Sequence, residues 1–155
     1  MKRTLIFICM GLVLSGCKED DCCIPDCCAN VDVGLQIKYI NEAGENLFGL
    51  GDQGYDFDAI TVYHKIDGEW QRYFKSNYDR PKGIDLVTIE ETTWLDVFPS
   101  TTIVANNRSE TKIEFSPTDM DIITTEIDDS NNNILVTRVW YNDVEQENRF
   151  FEIVK

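Results

Sequence analysis

One histidine, His64, is all that the 155 residues provide. It sits between Tyr63 and Lys65 in a β-prone run. Serine triads, cysteine–histidine dyads and histidine-bearing zinc sites each need an imidazole beside the reacting group. A single imidazole, placed where a half-exposed strand residue belongs, gives those classes little support. Cysteine is absent from residue 29 onward, so the main domain needs no disulfide and offers no thiol nucleophile. Basic residues are scarce: 14 Lys and Arg stand against 28 Asp and Glu, for a net charge of −14 at neutral pH. Nucleic acid and anionic lipid surfaces require basic patches, so no nucleic-acid partner is expected. No Gly-x-Ser-x-Gly elbow is present. Gly49-Leu50-Gly51 leads into no helix or lysine pattern that could cradle a phosphate. The apolar stretch from Leu5 to Leu14 is too short to span a bilayer comfortably.

What is present begins with that short stretch. Lys2 and Arg3 precede it, and it ends in Leu14-Ser15-Gly16-Cys17. The order of a positive start, an apolar centre and small residues before a cysteine resembles a bacterial lipobox. The resemblance implies cleavage after residue 16 and lipidation of Cys17. Acyl chains contribute about 0.8 kcal/mol per buried methylene, so several together hold a domain at a membrane surface. Lys18-Glu19-Asp20-Asp21 follows at once. This resembles the export signal of surface lipoproteins in Bacteroidota. It implies an outer-membrane lipoprotein facing outward, with a periplasm-facing tether as the alternative. Without residues 1–16, 12 basic residues face 28 acidic ones, a charge of −16.

Three segments follow: a signal over 1–16, a lipidated cysteine-rich tether over 17–29 and one domain over 30–155. The tether carries Cys22, Cys23, Cys27 and Cys28 within seven residues. Oxidised pairs fit an exported protein, with bridging across Ile24-Pro25-Asp26 less strained than bonding between neighbours. Four thiolates could instead take zinc or another soft metal, although structural zinc sites draw their ligand pairs from two separated turns.

Within the domain, Val31, Val33, Leu35, Ile37 and Tyr39 alternate with polar residues, the period of a half-buried strand. Further strands are expected near 57–66, 69–74, 84–90, 94–98, 102–105, 111–115, 120–127, 134–141 and 149–154. Asp67-Gly68 and Asn142-Asp143 read as tight hairpin turns. No segment keeps a helical period over three turns. The predicted fold is all-β: two antiparallel sheets packed as an immunoglobulin-like or related sandwich, with a barrel as the alternative. The turn Asn41-Glu42-Ala43-Gly44-Glu45-Asn46 and the run Val139-Trp140-Tyr141-Asn142-Asp143 also resemble small Bacteroidota lipoproteins of uncharacterised function. That resemblance implies no catalytic residues.

Three chemistries remain for the domain. Paired carboxylates, as in glycosidases, occur at Glu90-Glu91, at Asp56 with Asp58 and at Asp119 with Asp121. Among 28 acids such pairs arise by chance. Calcium could be held by Asp52, Asp56 and Asp58 on one loop, or by Asp128, Asp129, Asn131 and Asn133 on another. Counted from Asp129, the second loop has Ile134 at the turn-glycine position and Trp140 at the glutamate position, so it departs from the helix–loop–helix calcium pattern. No cofactor is otherwise expected. Aromatic rings supply the third handle. Trp70 and Tyr73 lie on opposite faces of one strand, so one of them should face outward and contact a ligand. The expected role is non-catalytic binding of a glycan, or of an envelope or host protein, from a membrane anchor. The alternatives are a carbohydrate-active enzyme and a metal-handling module built on the tether cysteines.

Overall fold

The computed structural model describes residues 29–155. Cys17, Cys22, Cys23, Cys27 and Cys28 lie outside the described residues, as does the side chain of Asp52. The strands are β1 (Val31–Asp32), β2 (Leu35–Ile40), β3 (Thr61–Ile66), β4 (Glu69–Arg72), β5 (Ile84–Ile89), β6 (Thr92–Val97), β7 (Arg108–Ser116), β8 (Asp119–Asp128), β9 (Ile134–Tyr141), β10 (Val144–Gln146) and β11 (Phe150–Val154). Sheet A runs β1-β9-β8-β7-β3-β4, with β10 also paired to β9, and sheet B runs β11-β2-β6-β5. Neither sheet closes on itself, so the chain forms a sandwich rather than a barrel.

Alternation in the sequence sets which side chains meet between the sheets. Leu35, Ile37 and Tyr39 of β2 and Leu95 and Val97 of β6 are fully buried. Opposite them, sheet A buries Val62, Ile113, Ile123 and Val139. The intervening Glu110, Lys112 and Glu114 of β7 leave the core for the outer face. Each large apolar side chain taken from water contributes about 1.5–3 kcal/mol, which makes this interlayer core the main source of stability.

Four tight turns organise the hairpins. Asp67-Gly68 and Asn142-Asp143 both take positive φ, as type I′ turns require. Glu90-Glu91 and Asn106-Asn107 do the same without a glycine. Each sheet also carries a parallel pair beside its antiparallel ones: β1 with β9, and β11 with β2.

Three expectations differ from the structure. The run 31–39 is two strands: β1 joins sheet A, β2 joins sheet B, and the chain changes sheets at Val33-Gly34. The stretch 57–60 holds a 3₁₀ turn, Phe57–Ala59, with Asp56 accepting the Asp58 N–H at 2.9 Å. Residues 102–105 form no strand; only Ala105 makes an isolated bridge, to Arg108. Their path is fixed instead by buried hydroxyls on sheet A. The Ser100 N–H donates to Thr111 Oγ1 at 2.7 Å, the Ser109 hydroxyl donates to the Ser100 carbonyl, and Ser109 and Thr125 hydroxyls meet at 2.7 Å.

Candidate functional site

Sheet A is wider than sheet B, and the inner side of its β3–β4 end borders open space. Register places His64 opposite Gln71, and both face inward. Tyr73, just past β4, stacks on the His64 ring with centroids 4.2 Å apart and planes 23° apart. The chain then crosses to sheet B through residues 73–83. Two adjoining cavities of about 610 and 560 Å³ open here. They share Tyr73, Tyr78 and Phe98, so the two lobes form one cleft around three aromatic rings.

Local structure holds those rings in place. Lys75 N–H donates to the Pro81 carbonyl at 2.8 Å and Tyr78 N–H to the Lys75 carbonyl at 3.1 Å. The Phe98 N–H donates to the Gly83 carbonyl at 2.8 Å. Gly83 has φ +70, and a Cβ there would lie 3.1 Å from Tyr73 Cε1. Only glycine lets the backbone turn and the Tyr73 ring share that space. The hydroxyl network around Ser100 anchors the far wall, which carries Pro99, Thr101 and Thr102. The cleft is therefore formed in advance of any ligand.

Its chemistry is mixed. Tyr78 is 58% exposed, Phe74 55% and Phe98 40%, values high for rings of this size. Asn77, Gln71, Thr101 and Thr102 add neutral hydrogen-bonding groups. Asp79 is the one carboxylate among the described lining residues. Arg80 lies over the Phe98 ring at 4.5 Å and pairs with Asp96. Burial, with the nearby Lys75 charge adding to it, pulls the His64 pKa down to about 4. The imidazole is thus neutral at pH 7, and its Nε2 is buried without a hydrogen-bond partner among the described residues.

The residues singled out in the sequence fall in different places. Tyr73 is at the centre of the cleft. Trp70 points to the opposite, outer face of sheet A, in register with Lys65 and with Lys65 Nζ 5.4 Å from its ring. Glu90-Glu91 is the exposed tip of the β5–β6 hairpin. Asp56 caps the 3₁₀ turn, and exposed Asp58 contributes its carbonyl to Lys82 at 2.7 Å. Asp128 accepts the Ser130 N–H at 2.9 Å in an Asx-type turn. Asp129 and Asn131 are exposed beside it, with Asn131 at φ 56, and Asn133 closes the turn with its N–H on the Ser130 carbonyl. Among the described residues, no three His, Cys, Asp or Glu side chains converge as a metal site.

Asp119 and Asp121 do come together, at a second polar cluster. Lys155 Nζ bridges them at 2.7 and 2.8 Å. Tyr55 donates to Asp119 at 2.7 Å and Asn142 to Asp121 at 2.9 Å. Burial works against the Asp119 charge, but the bonds from Lys155 and Tyr55 outweigh it and hold the pKa below the usual carboxylate value. Tyr39 and Tyr141, buried nearby, are raised well above the ordinary phenol value, first by burial and then by neighbours that include Asp121. A lysine already occupies the space between the carboxylates, so this cluster is a structural clamp.

The sequence reading missed Tyr78 and Phe98 as contact residues. The available signal was a run of aromatics and cations in a turn-rich stretch, Tyr73-Phe74-Lys75-Ser76-Asn77-Tyr78-Asp79-Arg80. Rings in such a loop have no strand face to fill. Comparisons of the chain with protein-family models, with curated proteins and with solved structures return no match.

Proposed function

We propose that this chain is a non-catalytic, lipid-anchored envelope protein whose domain binds a saccharide in the Tyr73–Tyr78–Phe98 cleft. The carrying observation is the cleft itself: two preformed lobes around exposed rings, with neutral amides and hydroxyls alongside. Sugar rings present an apolar C–H face and a rim of hydroxyls. The first suits stacking on tyrosine and phenylalanine; the second suits Asn77, Gln71 and the threonines. One carboxylate in the cleft supports binding over hydrolysis, because acid–base cleavage of a glycosidic bond uses two.

The Leu14-Ser15-Gly16-Cys17 motif supports the anchor, and Lys18-Glu19-Asp20-Asp21 supports outward display at the outer membrane. Anchor and tether would then hold the cleft at the cell surface within reach of glycans. The test is a glycan array probed with the full-length chain in detergent and with a Tyr78→Ala/Phe98→Ala variant. Binding by the parent and loss in the variant, at an unchanged melting temperature, is the expected result. Binding that ignores both rings would place the ligand elsewhere.

A further inference from the structure

β5 lies at one edge of sheet B with little to guard it. Its sequence, Ile84-Asp85-Leu86-Val87-Thr88-Ile89, holds one charge and no proline, and its pairing with β6 has no bulge. The Phe98 N–H donates to the Gly83 carbonyl, so by alternation the ladder with β6 uses Gly83, Asp85, Val87 and Ile89. The N–H and C=O groups of Ile84, Leu86 and Thr88 therefore point to the free edge. Among the described residues they meet one partner, the Asp85 carboxylate, which accepts the Leu86 N–H at 2.9 Å. Two cavities lie along this edge. One of about 220 Å³ is bordered by Phe57, Phe74, Pro81 and Ile84, and one of about 580 Å³ by Phe48, Tyr55, Phe57 and Leu86. They adjoin at Phe57. Ile84 and Leu86 are two residues apart, which is the spacing of side chains on one face of a strand.

We propose that an extended segment of a partner protein adds to sheet B along β5, seating two alternate apolar side chains beside Ile84 and Leu86 and a lysine or arginine at Glu90-Glu91. Main-chain bonds to Leu86 and Thr88 supply the affinity, and the two cavities select the side chains. Asp85 is exposed, so it can give up the Leu86 N–H to an incoming carbonyl and turn to water. Charge decides the kind of partner. Asp79 and Asp85 balance Arg80 and Lys82 around the smaller cavity, which leaves an apolar side chain as its best occupant. The larger cavity carries Asp56 and no cation among its described lining residues. Beyond it, exposed Glu90 and Glu91 close the strand. A segment with a cation at that end is attracted. A second copy of a chain with net charge −14 is repelled from the same edge.

The probes are short synthetic peptides with alternate phenylalanine and valine and a terminal lysine, made in both sequence orders. Matched peptides replace the lysine by glutamate, and others are N-methylated at alternate amides in either phase. Affinities are measured by calorimetry for the full-length chain in detergent, for Thr88→Pro and for Glu90→Lys/Glu91→Lys. The expected result is that one order of the lysine peptide binds about tenfold or more tightly than its glutamate counterpart. Methylation in one phase should abolish binding and in the other spare it, because only alternate amides face the edge. Thr88→Pro should also abolish it, since Thr88 gives the β6 ladder no bond and its N–H serves the edge alone. Glu90→Lys/Glu91→Lys should transfer the preference to the glutamate peptide. Binding that ignores methylation in both phases would overturn strand addition, and this arm uses the unaltered chain, so it holds even if Thr88→Pro disturbs β5. Equal affinity for lysine and glutamate peptides would overturn the basic partner. Self-association in sedimentation that Thr88→Pro abolishes would give the edge to a second copy and overturn the proposal, as would a panel in which no peptide binds.

Discussion

Replacing Lys155 by methionine removes the cation from the Asp119–Asp121 clamp while keeping its apolar stem. Asp121 is 1% exposed, and its Oδ2 has no hydrogen-bond partner among the described residues. Its Oδ1 relies on Lys155 and Asn142. Without the ammonium, a buried carboxylate keeps one hydrogen bond. Removing one partner of a buried ion pair costs about 3–5 kcal/mol. The Lys155 side chain retains 21% exposure, so water partly replaces it, and about 2–3 kcal/mol is expected here. For a domain of this size that lowers the melting temperature by about 6–12 °C. The sign with pH is also fixed. Asp119 titrates below its unfolded value, so its contribution is full above that value and fades as pH falls through the folded pKa. The deficit of Lys155→Met should therefore be largest near pH 7 and shrink below about pH 4, where Asp119 takes up its proton. Thermal unfolding followed by circular dichroism from pH 7 to 3 reads this directly. A variant as stable as the parent at pH 7, or a deficit independent of pH, would refute the clamp.

Gly83→Ala should cost about 1 kcal/mol from the positive φ, and more as Tyr73 gives way to the new Cβ; denaturant unfolding and weaker ligand binding together would show it. Thr111→Val leaves the Ser100 N–H buried without its acceptor, at about 1–3 kcal/mol, and should speed hydrogen exchange at that amide. His64 titrates lower when folded than unfolded, so stability should fall as pH drops from about 6.5 towards 4. His64→Gln should flatten that slope, a difference on the order of 2 kcal/mol at pH 4 after allowing for partial solvent access. Cys17→Ser should abolish incorporation of labelled palmitate and release the protein from membranes.

The legible parts of the fold were those fixed by local chemistry. Asp67-Gly68 announces a type I′ turn because glycine accepts its second positive φ. Glu90-Glu91 adopts the same turn without that signal, and in the sequence its two acids look like a carboxylate pair rather than a hairpin tip. Alternation correctly buries Val33, Leu35, Ile37 and Tyr39, but Val31 is 57% exposed, and a period of two carries no sign that β1 and β2 lie in different sheets. Propensity alone favours a strand over 102–105, because it is blind to Thr111 and Ser109, whose hydroxyls pin the preceding residues from another strand. Tyr73 stood out by its strand parity. Tyr78 and Phe98 join it only through the crossover between the sheets, a tertiary arrangement with no periodic trace.

The most direct test of the cleft is amide chemical-shift mapping of the full-length chain in detergent, titrated with the saccharide that binds best on the array. The account predicts shifts concentrated in residues 73–83 and 98–102 and at His64, with the outer face of sheet A around Trp70 and Trp140 unmoved. Shifts centred on that outer face, with the cleft silent, would contradict it.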